Sequence, residues 1–143
     1  VIEIRRSALV RYSPAQMFDL VNDVEAYPKR FPWCVGAQVL ERTGDVLVAR
    51  LDLKYAGFRQ SFTTRNTTTP PSRLHMSLVD GPFRSLDGVW DFIALGDAGC
   101  KVSFVLDFDY ASKLMGSALK LGFQGLASRM VEDFCKEAER TYG

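Results

Sequence analysis

The sequence predicts an α+β fold: a strongly curved antiparallel sheet of about six to seven strands wrapped around one long C-terminal helix, with two short helices after the first strand. Three observations carry this expectation. Ser112 to Tyr142 contains no proline and repeats apolar residues at helical steps of three and four, through Met115, Leu119, Phe123, Leu126, Met130, Phe134 and Ala138. From Val35 to Tyr110 the period changes to two, with short turns between successive runs, which reads as an antiparallel meander. Such a sheet is apolar on one face and needs a cover, and the terminal helix is the one sizeable cover in the chain.

Ile2 to Val10 alternates imperfectly and reads as a first strand. Ser13-Pro14-Ala15-Gln16 is a helix start, with Ser at the N-cap, Pro at the first helical position and Gln placed to close a capping box. The helix over Ala15 to Asn22 is short. Pro28 and Pro32 confine the next stretch to a helical turn and a bend crowded with Tyr27, Phe31 and Trp33. Val35 to Glu41 is the next strand. Val46 to Tyr55 puts Leu47, Ala49, Leu51, Leu53 and Tyr55 on one face; Arg59 to Thr69 is rich in Thr, with Phe62 its one large apolar residue. Leu74, Met76 and Leu78 face one way, and Arg73, His75 and Ser77 the other. Asp80-Gly81-Pro82-Phe83 is a turn. Leu86, Trp90 and Phe92 share a face of the strand over Leu86 to Leu95, with Gly88 between them. The last strand alternates over Cys100 to Tyr110. The helix at Ser112 to Tyr142 would run about 45 Å, and a second apolar row (Leu114, Ala118, Leu121, Ala127, Val131, Cys135) widens its face. Gly116, Gly122 and Gly125 lie within it, which fits close packing and a movable cover equally well.

Composition narrows the function. The 143 residues make one domain, 1–143, with 47% apolar and 24% charged residues and a net charge of +1. Near-neutrality argues against a DNA partner. Cys34, Cys100 and Cys135 are odd in number and far apart, with no C-x-x-C, so neither a disulfide framework nor a structural metal is expected. A reducing compartment, the cytoplasm, fits best, and no apolar run reaches the length of a membrane span.

Catalytic signatures are absent: no G-x-S-x-G, P-loop, G-x-G-x-x-G or H-E-x-x-H occurs. His75 falls on a polar strand face. Asp107 and Asp109 point outward, where solvation explains them better than metal binding. Cys34 is a candidate thiol with no His or helix N-terminus beside it in sequence. What stands out is a surplus of large apolar side chains. They either fill a core or line a pocket that a curved sheet leaves open against one helix.

Several stretches resemble a known family. They are Ala8-Leu9-Val10 with Tyr12-Ser13, Leu20-Val21-Asn22-Asp23-Val24 with Tyr27-Pro28, Phe62-Thr63-Thr64-Arg65-Asn66, Leu78-Val79-Asp80-Gly81-Pro82-Phe83 with Leu86, and Val105-Leu106-Asp107-Phe108. Their order and spacing resemble the START-like helix-grip superfamily of polyketide cyclases and lipid-transfer domains. Within it the chain is similar to the coenzyme Q-binding branch, which includes bacterial ribosome association toxins. The resemblance covers essentially the whole chain. Pro32-Trp33-Cys34 departs from it, since some relatives carry a small residue at Trp33, and a bulky one narrows a pocket mouth.

The resemblance implies a cavity between sheet and helix holding ubiquinone or another isoprenoid lipid, without catalysis and with no cofactor beyond that lipid. It places the lining at Leu53, Phe62, Met76, Trp90, Phe104, Leu106, Leu119, Phe123 and Met130, and the mouth near Tyr27, Phe31, Trp33 and Phe83. A lipid binder of this kind would support respiration and touch the inner face of a membrane transiently. The resemblance also implies a second activity, binding the large ribosomal subunit and blocking subunit joining. The outward cations Arg5, Arg11, Lys29, Arg30, Arg59, Arg65 and Lys101 would serve it, and ordinary solvation explains each of them as well. A third reading is an aromatase, cyclase or hydratase. Such enzymes place acid and base groups inside the cavity, and the inward candidates are Tyr55, Thr64 and Tyr110.

Overall fold

The structure, a computed structural model, describes residues 1–112 and 116–143, with side chains at all of these except 58, 118 and 119. The elements run β1 (Ile2–Val10), α1 (Pro14–Asn22), a 3₁₀ turn (Val24–Ala26), α2 (Tyr27–Arg30), β2 (Cys34–Thr43), β3 (Val46–Tyr55), β4 (Phe58–Thr69), β5 (Arg73–Asp80), β6 (Phe83–Ala94), β7 (Cys100–Tyr110), α3 (Ser117–Ser128) and α4 (Met130–Tyr142). The strands form one seven-stranded sheet in the order β1-β7-β6-β5-β4-β3-β2. Every pairing is antiparallel. β2 to β7 is the expected meander, and β1 closes onto β7 with Ile2 opposite Phe108 and Val10 opposite Cys100.

Local chemistry explains the elements. Ser13 accepts from the Gln16 N–H at 3.1 Å, while the Gln16 side chain accepts from the Ser13 N–H at 2.9 Å, so the capping box forms and Pro14 opens α1. Irregular register at Cys34/Gly36, Val39/Glu41, Thr63/Thr64 and Phe83/Ser85 bends the strands. That curvature turns the inner face into a trough. Along β7 the buried positions alternate from Cys100 to Tyr110, and β7 packs against α4 next to the edge strand β1.

The C-terminal segment departs from the single helix expected over Ser112 to Tyr142. Residues 113–115 lie outside the described part, Ser112 is not helical, and the helix is divided at Arg129. Arg129 has φ −102° and ψ 2°, and its N–H bonds to Leu126 O at 3.2 Å, a tightened 3₁₀-type closure. Neither Gly nor Pro stands at the break. There the Arg129 guanidinium lies over the Tyr55 ring, 5.6 Å from its centroid, and bonds Asp133 at 3.2 Å. Gly116 is the N-cap of α3 rather than an interior residue. The main apolar stripe is buried at Phe123, Leu126, Phe134 and Ala138, whereas Leu121 of the second row is 70% exposed.

Candidate functional site

The inward faces of β3 to β7 leave a hollow beneath α3 and α4. Strand alternation brings Leu51 and Leu53, Phe62, Met76, Leu86 and Trp90, and Phe104 and Leu106 onto its floor and walls. Phe123, Leu126 and Ala127 of α3 and Met130 and Phe134 of α4 form the roof, and Tyr27 and Trp33 close one end. Gly88 makes room on the floor: a Cβ there would meet the Met76 Cε at 2.7 Å and Leu106 Cδ1 at 3.2 Å. The hollow offers about 70 Å³. That is well below the roughly 300–1,000 Å³ of a pocket holding a drug-sized ligand. A larger guest therefore requires the roof or an end wall to move.

Two aromatic groups frame the hollow. At one end Phe31 stacks on Trp33 with centroids 4.7 Å apart, and both Tyr27 and Phe31 meet Phe134 edge-on, at 5.5 and 4.7 Å. At the other, Phe83 packs on Phe123 at 4.7 Å and on Tyr110 at 6.0 Å. Trp90 and Phe104 stack at 4.4 Å between them.

The polar atoms of the lining turn away from the hollow. The Tyr27 hydroxyl donates to the Val21 carbonyl, and the Trp33 indole N–H donates to Asp133 Oδ2 at 3.1 Å. Burial first, then the Cys34 and Asp23 charges, pushes the Tyr27 phenol far above its ordinary range, so it stays protonated. The three inward polar candidates are likewise engaged. The Tyr55 hydroxyl accepts from Arg129 at 3.3 Å, Thr64 donates to Asn66 Oδ1 at 2.8 Å, and the Tyr110 hydroxyl donates to Lys120 O at 2.9 Å.

The other candidates fall outside the site. Burial pushes the Cys34 thiol up to about 11, which leaves it un-ionised at neutral pH. His75 pairs with Asp87 at 2.7 Å, and Asp109 with Arg84 at 3.4 Å. Among the described residues, no three His, Cys, Asp or Glu side chains gather as a metal site would require. No helix among them is long and apolar enough to cross a membrane.

These features match a known pattern. Residues 10–135 fit the family described as polyketide cyclase / dehydrase and lipid transport. The chain belongs to that family. Within it, the ribosome association toxin RatA of Pseudomonas aeruginosa is 44% identical over 140 residues, covering 98% of this chain and 97% of that one. The mitochondrial coenzyme Q-binding protein COQ10 homolog B of Xenopus laevis is 29% identical over 147 residues, covering 99% of this chain and 60% of that one. The Zhui aromatase/cyclase of Streptomyces sp. R1128 superposes with a TM-score of 0.81 at 19% identity, over 99% of this chain and 96% of that one. The START-like helix-grip fold expected from the motifs is thus the fold of this polyketide cyclase and lipid transport family member.

Of the residues expected to line the cavity, Leu53, Phe62, Met76, Trp90, Phe104, Leu106, Phe123 and Met130 all do so; the Leu119 side chain lies outside the described part. The expected mouth divides: Tyr27 and Trp33 close one end of the cavity, Trp33 being shared with an outer groove, whereas Phe31 and Phe83 do not line the cavity, and all four are below a tenth exposed. Phe31 sits behind Trp33 and lines an outer groove instead. Phe83 is drawn to the opposite end by the bulge that opens β6, where it joins Phe108 and Tyr110. Leu51, Leu86, Leu126, Ala127 and Phe134 line the hollow although the sequence did not mark them as lining. Leu51, Leu86, Leu126 and Phe134 lie on apolar rows visible in the sequence, and their periodicity was the available signal.

Proposed function

We propose that this protein binds a hydrophobic ligand, ubiquinone or another isoprenoid lipid, between the sheet and the C-terminal helices, and that it does so without acting on it chemically, in support of respiration. The supporting observation is the cavity itself: its lining is carbon and sulfur, and the Tyr27 and Trp33 polar atoms bond elsewhere. Burying an apolar chain yields about 25 cal/mol per Å² before the costs of association, so such a ligand needs few polar contacts. The engagement of the Tyr55, Thr64 and Tyr110 hydroxyls favours holding over cyclisation. Solvent extraction of the purified protein, with native mass spectrometry, tests this. A co-purifying lipid, or quenching of Trp33 and Trp90 fluorescence by added ubiquinone, is the expected result. Ligand-free protein that also shows no quenching would sink the proposal.

A second reading is association with the large ribosomal subunit, and its support is the 44% identity, over nearly the full length of both chains, to a protein named for ribosome association. Co-sedimentation with ribosomal particles at low salt, weakening steeply as salt rises, is its expected signature. Failure to co-sediment at low salt removes it.

A further inference from the structure

Behind Trp33 lies an open groove of about 470 Å³ with a different chemistry. Arg30 of α2, Lys54 at the end of β3, Arg129 at the helix break, and Lys136 and Arg140 of α4 converge on it, against the carboxylates of Asp133 and Glu137. Both carboxylates are committed internally. Glu137 receives Arg30 at 3.0 Å and Arg140 at 2.9 Å. Asp133 receives Arg129 at 3.2 Å and the Trp33 indole at 3.1 Å. Lys136 reaches Glu132 at 3.0 Å, but that pair is exposed and contributes little. Arg30 Nε is buried and has no acceptor among the described residues. In a chain of net charge +1, this is a local surplus of positive charge rather than a general one.

Trp33 is the wall shared by this groove and the apolar cavity. Its backbone is fixed, since the Lys54 N–H bonds Trp33 O at 2.9 Å. On the groove side its indole is tethered through Asp133, which also serves Arg129. An oxyanion drawn to Arg129 competes with Asp133 for that guanidinium and loosens the carboxylate that latches the indole. The cavity, at about 70 Å³, needs such an opening to admit a chain.

We propose that the groove seats the oxyanion head of a single-chain amphiphile whose tail enters the cavity past Trp33, with the Trp33–Asp133–Arg129 contact as the gate. This rests on the cavity reading above and narrows its ligand to acidic amphiphiles. The probes are dodecyl phosphate below its micellar concentration, dodecanol, inorganic phosphate, and a short RNA oligonucleotide, each titrated into the full chain while tryptophan fluorescence is followed. Dodecyl phosphate is expected to bind at least tenfold more tightly than dodecanol. Salt should weaken only the former, and Lys54→Gln, at an exposed position outside the gate, should narrow the gap severalfold. Asp133→Asn should speed uptake of both chains. Equal affinity for dodecyl phosphate and dodecanol overturns the head-group site and leaves the cavity reading intact. Inorganic phosphate binding as tightly as dodecyl phosphate, or the oligonucleotide occupying the groove without competition from dodecyl phosphate, also overturns it. Binding of neither chain removes the cavity reading as well.

Discussion

Arg30 Nη1 lies 3.0 Å from Glu137 Oε1, joining the end of α2 to the middle of α4 across 107 positions of sequence. The same nitrogen bonds Thr141 Oγ1 at 2.9 Å, and Arg140 closes on Glu137 from the solvent side. Glu137 is only 5% exposed, so α4 is held to the α2 corner by a carboxylate that has left water.

This pair sets an acid limit on stability. The Arg140 hydrogen bond, and after it that of Arg30, holds the Glu137 carboxyl below its ordinary value of 4.5, against the opposing effect of burial. A depressed carboxylate contributes stability that is complete above the unfolded value and is lost as pH falls through the folded one. Denaturant melts from pH 7 to pH 3 should show wild-type stability falling below about pH 4.5, with Glu137→Gln flatter over that window. At pH 7 Glu137→Gln should itself cost about 1.5–3 kcal/mol. A parallel pH dependence in the two proteins would show that Glu137 does not carry the acid limit.

Filling the cavity separates stability from binding. Ala127 is 2% exposed and lines the roof. Ala127→Leu adds three carbons to a space of about 70 Å³. We expect thermal stability to hold or to rise by about 0.5–2 kcal/mol, while uptake of any apolar ligand falls at least tenfold. Undiminished uptake, measured by tryptophan quenching, would place the ligand elsewhere.

Gly125 of α3 tests how tightly the roof meets the sheet. A Cβ there would sit 3.2 Å from Tyr55 Cε2. Alanine gains about 1 kcal/mol over glycine in a helix, and the tight contact with Tyr55 opposes it. Gly125→Ala alone should therefore change stability by no more than about 0.5 kcal/mol. In a Tyr55→Leu background the same change should stabilise by up to about 1 kcal/mol. Equal effects in the two backgrounds would mean that Tyr55 does not resist the roof.

Gly99 and Gly96 sit in one turn and should respond differently. Gly96 has φ +60° with open space around it, whereas Gly99 has φ +136° and its missing Cβ would run into the Val10 carbonyl and lie 2.8 Å from Arg11 Cα. Gly96→Ala should cost about 1–2 kcal/mol. Gly99→Ala should cost clearly more, because backbone atoms at the end of β1 must move. Equal melting temperatures for the two variants would contradict this packing.

Much of this arrangement was legible in the residues. The period-two runs gave Val46–Tyr55 and Cys100–Tyr110 their observed bounds, because an antiparallel sheet with one wet face writes its alternation into the chain. The same alternation put Leu53, Phe62, Met76, Trp90, Phe104 and Leu106 on one surface. The helix break was not legible. Leu126, Met130 and Phe134 keep their four-residue steps straight through it, and Arg129, a good helix former, meets a partner in Tyr55 that lies far away in sequence. Phe83, placed near the mouth through the resemblance, packs instead with Phe108 and Tyr110, beside a register shift that no local signal announces. The basic groove was equally hidden, since its cations come from α2, β3 and α4 and form no run.

The order β1-β7-β6-β5-β4-β3-β2 places the first two strands of the chain at opposite edges of the sheet. β2 to β7 can zip hairpin by hairpin, each strand finding its partner next door. β1 cannot, for its partner is β7. Loop closure over that distance must precede any reward from pairing, so docking of β1 is expected late in folding. Until then β7 carries an unprotected edge with Val102, Phe104 and Phe108 along it. The species most exposed to self-association is therefore a nearly finished protein that lacks its first strand.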